Sequence, residues 1–213
     1  MKQLRILPFF LALAGLLPAG TVITSFPLST QNSTWFIDNG DSTHVLGAGF
    51  TMPAVGSYSL DSARVALDIR DQANPPVNFG LFADSAGIPN GSALVTFVVP
   101  PLPSGGFGPF TLTPSSGFTL LPSTTYWLVA QGVGTGAAVL GWIGDTTAVG
   151  TSGIASSAGY YDSFSLGSTQ NIIRGGDLEF EVDGTLQGSA GTPEPGTIIL
   201  LGAGLLTIWI RRR

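Results

Sequence analysis

Asp177-Leu178-Glu179-Phe180-Glu181-Val182-Asp183 alternates four carboxylates with three apolar side chains without a break. Successive side chains of a strand point to opposite faces, so the pattern puts Leu178, Phe180 and Val182 on a core and the acids in water. Wound as a helix, the same residues would scatter around the whole circumference. Two further stretches carry the same period. Val65, Leu67 and Ile69 stand against Arg64, Asp68 and Arg70, and Val77, Phe79 and Leu81 stand against Asn78 and Gly80. Shorter candidates lie at 45–52, 93–99, 117–121, 124–131, 138–143 and 160–166. Residues 57–74 hold no Gly or Pro and would tolerate a helix, but the alternation at Val65, Leu67 and Ile69 is stricter than any helical pattern there.

Turn residues punctuate the chain between these runs, with Gly 30 and Pro 15 in 213 residues. Asp84 to Gly91 reads as a hairpin loop: Asp84 accepts local backbone bonds, Gly87 supplies a positive φ, Pro89 fixes φ, and Asn90-Gly91 turns again. About nine short strands joined in this way predict an all-β fold, an antiparallel β-sandwich of jelly-roll-like type, over residues 21–191. A body of that size buries a core without disulfide staples, and none is possible, since cysteine is absent. That absence also removes thiolate metal sites and a cysteine nucleophile. Charged residues are 10% of the chain, the formal net charge is −5, and there is one histidine, His44. Clustered Lys and Arg are missing, which argues against nucleic acid as a partner.

The two ends read as addresses. Lys2 and Arg5 precede an apolar run from Ile6 to Leu17, which is followed by the small residues Ala19 and Gly20. A basic start, a short apolar core and a small-residue exit predict a secretory signal peptide over 1–20, with a signal helix, the secretion translocon and signal peptidase as its partners. At the other end, Thr197 to Ile210 is uncharged and is followed by Arg211, Arg212 and Arg213. An apolar helix capped by arginines predicts a stop-transfer segment in the inner membrane, with the basic cluster on the cytoplasmic side. At 1.5 Å per residue the run reaches only about 21 Å, short of a ~30 Å hydrocarbon core, so Arg snorkelling or bilayer thinning must make up the rest. With the basic residues of both ends set aside, only Arg64, Arg70 and Arg174 remain as cations, and every acidic residue except Glu194 lies between the two ends. The segment predicted to be translocated is therefore strongly acidic.

Pro193-Glu194-Pro195, the apolar run Thr197–Ile210 and the cluster Arg211–Arg213 stand in the order of the PEP-CTERM sorting signal of exported bacterial proteins, which residues 192–213 resemble. Thr192 and Gly196 are small departures from its frequent residues. The resemblance implies cutting near the motif by an exosortase, a membrane protease, and a transiently anchored protein bound for the cell surface or the extracellular matrix. The body resembles another family through 58–67 (YSLDSARVAL), 80–91 (GLFADSAGIPNG) and 121–129 (LPSTTYWLV). These look like the choice-of-anchor R type of domain, a β-rich module of exported proteins, over about Trp35 to Gly184. That family brings no established catalytic activity, and the expected role is non-enzymatic.

Several constellations carry possible chemistry beside a plain structural reading. Asp38, Asn39 and Asp41 offer oxygen ligands around a tight turn, which suits calcium but lacks the spacing and final bidentate Glu of an EF-hand. No other cofactor is expected. Trp35, Trp127 and Trp142 would serve as stacking platforms for extracellular polysaccharide if exposed, and as core filling if buried. That alternative makes the protein a carbohydrate-binding module. A more distant alternative, a glycan hydrolase, rests on Glu179 and Glu181, two apart on one strand face. His44 follows Asp41, but a Ser-His-Asp triad lacks its G-x-S-x-G nucleophile elbow here.

Overall fold

The computed structural model describes residues 19–26, 33–39, 44–71, 73–133, 139–145, 150–163, 166 and 177–187. In chain order the strands are β1 (Gly20–Thr24), β2 (Ser33–Asn39), β3 (Val45–Thr51), β4 (Ser57–Ile69), β5 (Val77–Ser85), β6 (Ile88–Val98) and β7 (Phe107–Pro114). They continue with β8 (Thr119–Leu120), β9 (Thr125–Gly132), β10 (Val139–Asp145), β11 (Ser152–Gly153), β12 (Ser156–Ser163), β13 (Asp177–Leu178) and β14 (Phe180–Gln187). Among the described residues there is no helix, and every strand pairing is antiparallel. The expected signal helix and C-terminal membrane helix, with the sorting motif, lie outside the described residues.

The ambiguous stretch 57–74 yields the longest strand, and β4 is the spine of the fold. One of its edges pairs with β14 and then β10, the other with β8 and then β7. Ala63, Val65, Leu67 and Ile69 on its inner face are at most 1% exposed. Fully burying a Val, Leu or Ile side chain contributes roughly 1.5–3 kcal/mol, which outweighs the modest helix preference of the Ala, Leu and Arg residues nearby.

The decisive stretch 177–183 is strand with one interruption. Leu178, Phe180 and Val182 are buried as the alternation requires, but the ladder breaks at Glu179, where the chain passes from β10 to β4. The backbone groups at the break are all paired. Glu179 N–H donates to the Ile143 carbonyl (2.8 Å), and the Glu179 carbonyl accepts Ala66 N–H (3.1 Å) and the Trp142 indole N–H (2.9 Å). Buried Ser25 bridges the gap from the other side: its hydroxyl donates to the Leu178 carbonyl (2.7 Å) and accepts Phe180 N–H (2.9 Å). Asp177, placed in water by the alternation, is instead 8% exposed, and its carboxylate accepts Gly150 N–H at 3.3 Å.

The prediction of an all-β antiparallel fold holds, while the two-layer jelly-roll arrangement needs correction. The strands form one continuous path, β11-β1-β14-β4-β7-β6-β5-β9-β3-β12, in which β6 and β7 join the two halves through Phe97 opposite Pro114 and Val98 opposite Thr113. The two ends of the path, β11 and β12, are consecutive in the chain and separated only by Ile154 and Ala155, so the sheet is nearly closed and barrel-like. Its interior holds one large apolar cluster, including Phe50, Leu67, Phe79, Leu81, Tyr160 and Phe180.

A second, smaller cluster sits on the outer face of β3, β5, β9 and β12, formed by Val45, Phe82, Trp127, Val129 and Tyr161 and joined by Ile88 at the start of β6. These strands are therefore buried on both faces, which explains the unbroken apolar run Tyr126–Ala130. Strand β3 makes room for it with glycine. A Cβ on Gly49 would lie 2.8–3.0 Å from three ring carbons of Trp127.

Candidate functional site

The hairpin joining β5 to β6 organises the outer face. Ala86 and Gly87 at its tip have φ of 57° and 84°, a pair that matches the twist of a two-residue hairpin loop. Asp84 holds this tip through Gly87 N–H, which donates to Oδ2 at 3.2 Å. Its other oxygen accepts the indole N–H of Trp127 at 2.8 Å. One carboxylate thus fixes both the turn and the largest side chain of the outer cluster.

Beyond the hairpin the register slips. Leu81 faces Val95, but Ala83 faces Asn90, so β6 carries extra residues around Gly91, whose φ is 77°. This bulge raises Ser92 and Ala93 as a wall beside β5. Between that wall and β9 lies an open-sided groove of about 530 Å³. Its floor is Gly80, Phe82 and Val129, all buried; its rim is Asn78, Gln131, Ser92 and Thr96, all exposed. Asn78 and Gln131 are direct cross-strand partners. Among the described residues, none of the side chains lining the groove is ionisable.

Of the three tryptophans, Trp127 and Trp142 take the core-filling alternative. Trp142 is fully buried and meets Phe79 edge-on at 6.0 Å; Trp127 is 1% exposed and meets Tyr161 edge-on at 6.4 Å. Trp35 is half-buried and tilted against Tyr160 at 5.4 Å. Hydrophobic area drives these rings inward, and for Trp127 and Trp142 an acceptor, Asp84 Oδ1 and the Glu179 carbonyl respectively, satisfies the indole N–H. Among the described residues, Trp35 Nε1 and the Tyr160 hydroxyl are buried without a hydrogen-bond partner, and burial pushes the Tyr160 phenol well above its usual range.

The acidic candidates are dispersed. Glu181 accepts a hydrogen bond from Arg64 Nη1 at 2.8 Å, and that guanidinium also lies 5.0 Å from the Phe26 ring. Burial first, and then the Glu181 charge, raise the Asp183 carboxyl above its ordinary value; hydrogen bonds from Ser62 and Thr21 and the charge of Arg64 oppose the shift. His44 Nδ1 lies 3.1 Å from Asp162 Oδ1, an acid its sequence neighbourhood did not suggest. Asp41 and the side chains of Asp38 and Asn39 lie outside the described residues. Among the described residues no group of three or more His, Cys, Asp or Glu is placed to hold a metal ion.

Sequence reasoning missed the groove. Its signal was present in the second face of the same strands: Asn78, Gly80 and Phe82 alternate with Phe79 and Leu81, and Val129 and Gln131 alternate with Leu128 and Ala130. The bulge that turns this face into a groove depends on pairing across β5 and β6, which a single sequence does not display.

No curated protein matches the chain. Residues 192–213 match the family model described as the PEP-CTERM protein-sorting motif. The chain therefore carries a PEP-CTERM sorting motif at residues 192–213, the signal by which an exported, transiently membrane-anchored protein is handed to an exosortase.

Proposed function

We propose that this protein is a non-enzymatic β-domain delivered to the cell surface or the extracellular matrix. Residues 1–20 direct it to the translocon and are removed by signal peptidase. Cutting after Ala19 would leave Gly20, the first residue of β1, at the new terminus. Thr197–Ile210 then holds the chain in the inner membrane, with Arg211–Arg213 on the cytoplasmic side. Pro193 and Pro195 bias their preceding residues, Thr192 and Glu194, toward extended backbone, the form in which a protease active site takes its substrate. The match at residues 192–213 carries this reading. The resemblance of the body to choice-of-anchor modules agrees with it. The non-enzymatic part is supported by how the candidate groups are used: Glu181 is engaged by Arg64, and Trp127 and Trp142 are spent on packing.

The test replaces Pro193, Glu194 and Pro195 with alanine in a host that carries an exosortase. The variant is expected to be exported and to accumulate uncut in the inner membrane, while the wild type leaves it. Equal release of both proteins would overturn the reading.

A further inference from the structure

We propose that the groove between β5, β6 and β9 binds an uncharged glycan. It lies on the outer face of the sheet, where its floor residues Phe82 and Val129 share a cluster with Trp127, and the inference does not rest on the route of export. Three features define its ligand. The floor is apolar and low: Gly80 has no side chain, and a Cβ there would meet Phe82 Cε2 at 2.9 Å and Ala93 Cβ at 3.0 Å. Phe82 and Ala93 thus close over Gly80, so the floor is made by these side chains and offers an apolar surface to the C–H face of a sugar.

The rim supplies groups that both donate and accept. The Asn78 and Gln131 side-chain amides stand side by side, exposed, and have no hydrogen-bond partner among the described residues. Such amides complement vicinal hydroxyls, each of which also donates and accepts. Thr96 adds a hydroxyl held in place by Ser115 at 2.8 Å.

The third feature is charge. The chain has a net charge of −5, yet among the described residues no ionisable side chain lines the groove. A phosphate or carboxylate ligand would find no cation among the described lining residues and an acidic protein around it, whereas a neutral sugar meets matching groups without a charge to desolvate. The volume of about 530 Å³ falls within the range of small-molecule sites.

The experiment uses the full-length chain in a sugar-free zwitterionic detergent. Calorimetry and saturation-transfer NMR are run with cellopentaose, laminaripentaose and triacetylchitotriose, and with trigalacturonate as the anionic control. At least one neutral probe is expected to bind saturably, and trigalacturonate is not. Asn78→Ala with Gln131→Ala should weaken binding about tenfold or more, as the loss of two hydrogen bonds would. Ala93→Trp should abolish it by filling the groove. Both amides are exposed, so the double variant keeps its fold and decides the matter even if Ala93→Trp does not fold. The proposal is overturned if no neutral probe saturates, if trigalacturonate binds as well as the best of them, or if the double variant binds like the wild type.

Discussion

Replacing Gly49 with alanine adds a single methyl group, but the structure places it against a ring that has little freedom to yield. The new Cβ would stand 2.8, 2.9 and 3.0 Å from Cζ3, Cη2 and Cε3 of Trp127, where ordinary contacts begin near 3.4 Å. The ring is held at its far side by the 2.8 Å hydrogen bond from Nε1 to Asp84 and is boxed in by Tyr161. Overpacking of this kind costs about 1–3 kcal/mol. Alanine returns about 0.5–1 kcal/mol by restricting the unfolded chain in a strand position. The net loss is about 0–2.5 kcal/mol, and relative to an alanine at an open glycine the loss is about 1–3 kcal/mol, or a melting temperature lower by about 2–12 °C for a chain of this length. Gly117→Ala is the control, since nothing lies within 4 Å of a Cβ there; it should be neutral or slightly stabilising. The assay is thermal and urea unfolding of the full-length chain followed by tryptophan fluorescence. Trp127→Phe, which shortens the ring system, should cost less in the Gly49→Ala background than in the wild type, with a coupling of about 1 kcal/mol or more. Equal stability of Gly49→Ala and Gly117→Ala, or additive effects of the pair, would refute the packing described for the outer face.

Leu67→Asp and Phe180→Asp each bury an unpaired charge, at positions 0% and 3% exposed, and should destabilise the fold by more than about 4 kcal/mol; circular dichroism melts check this, and an unchanged midpoint would contradict the face assignment. Asp183→Asn tests the raised carboxyl. A carboxyl that holds its proton more tightly when folded contributes stability below its ordinary value of 3.8, and that contribution is lost as pH rises through the folded value. The asparagine variant should therefore be at least as stable as the wild type at pH 7, with the difference vanishing in acid. A lower melting point at pH 7 would contradict the sign.

How much of this was readable beforehand depends on the kind of interaction. The alternations at 65–69, 77–81 and 178–182 report which side chains face a core, and burial is a local consequence of strand geometry; those faces are where the pattern put them. Strand β7 gave no such signal because Gly108 and Pro109 interrupt it. The structure tolerates Pro109 there because β7 pairs with β4 along that stretch and meets β6 only at Thr113 and Pro114, so the missing N–H can face the unpaired side. Strands β1 and β2 were missed for similar reasons: Gly20 read as the exit of a targeting segment, and Asp38-Asn39 read as a turn. The order of strands and the near closure of the sheet rest on pairings between residues far apart in sequence, such as Arg64 with Glu181, and no local pattern encodes them. The tryptophans were ambiguous for the same reason. Only the folded neighbours Asp84, Phe79 and Tyr161 reveal that Trp127 and Trp142 are core residues. The sorting motif was the most legible feature, because an enzyme reads it as a linear peptide and it needs no fold to be recognised.

The central claim is that residues 192–213 are read and removed by a sorting protease. Intact-mass spectrometry of the exported protein, from otherwise identical cells with and without an exosortase, tests it most directly. The account predicts a mature chain ending at or near Pro193-Glu194-Pro195 only when the protease is present, and an intact tail with Arg211–Arg213 when it is absent. The same mass from both cell types would contradict it.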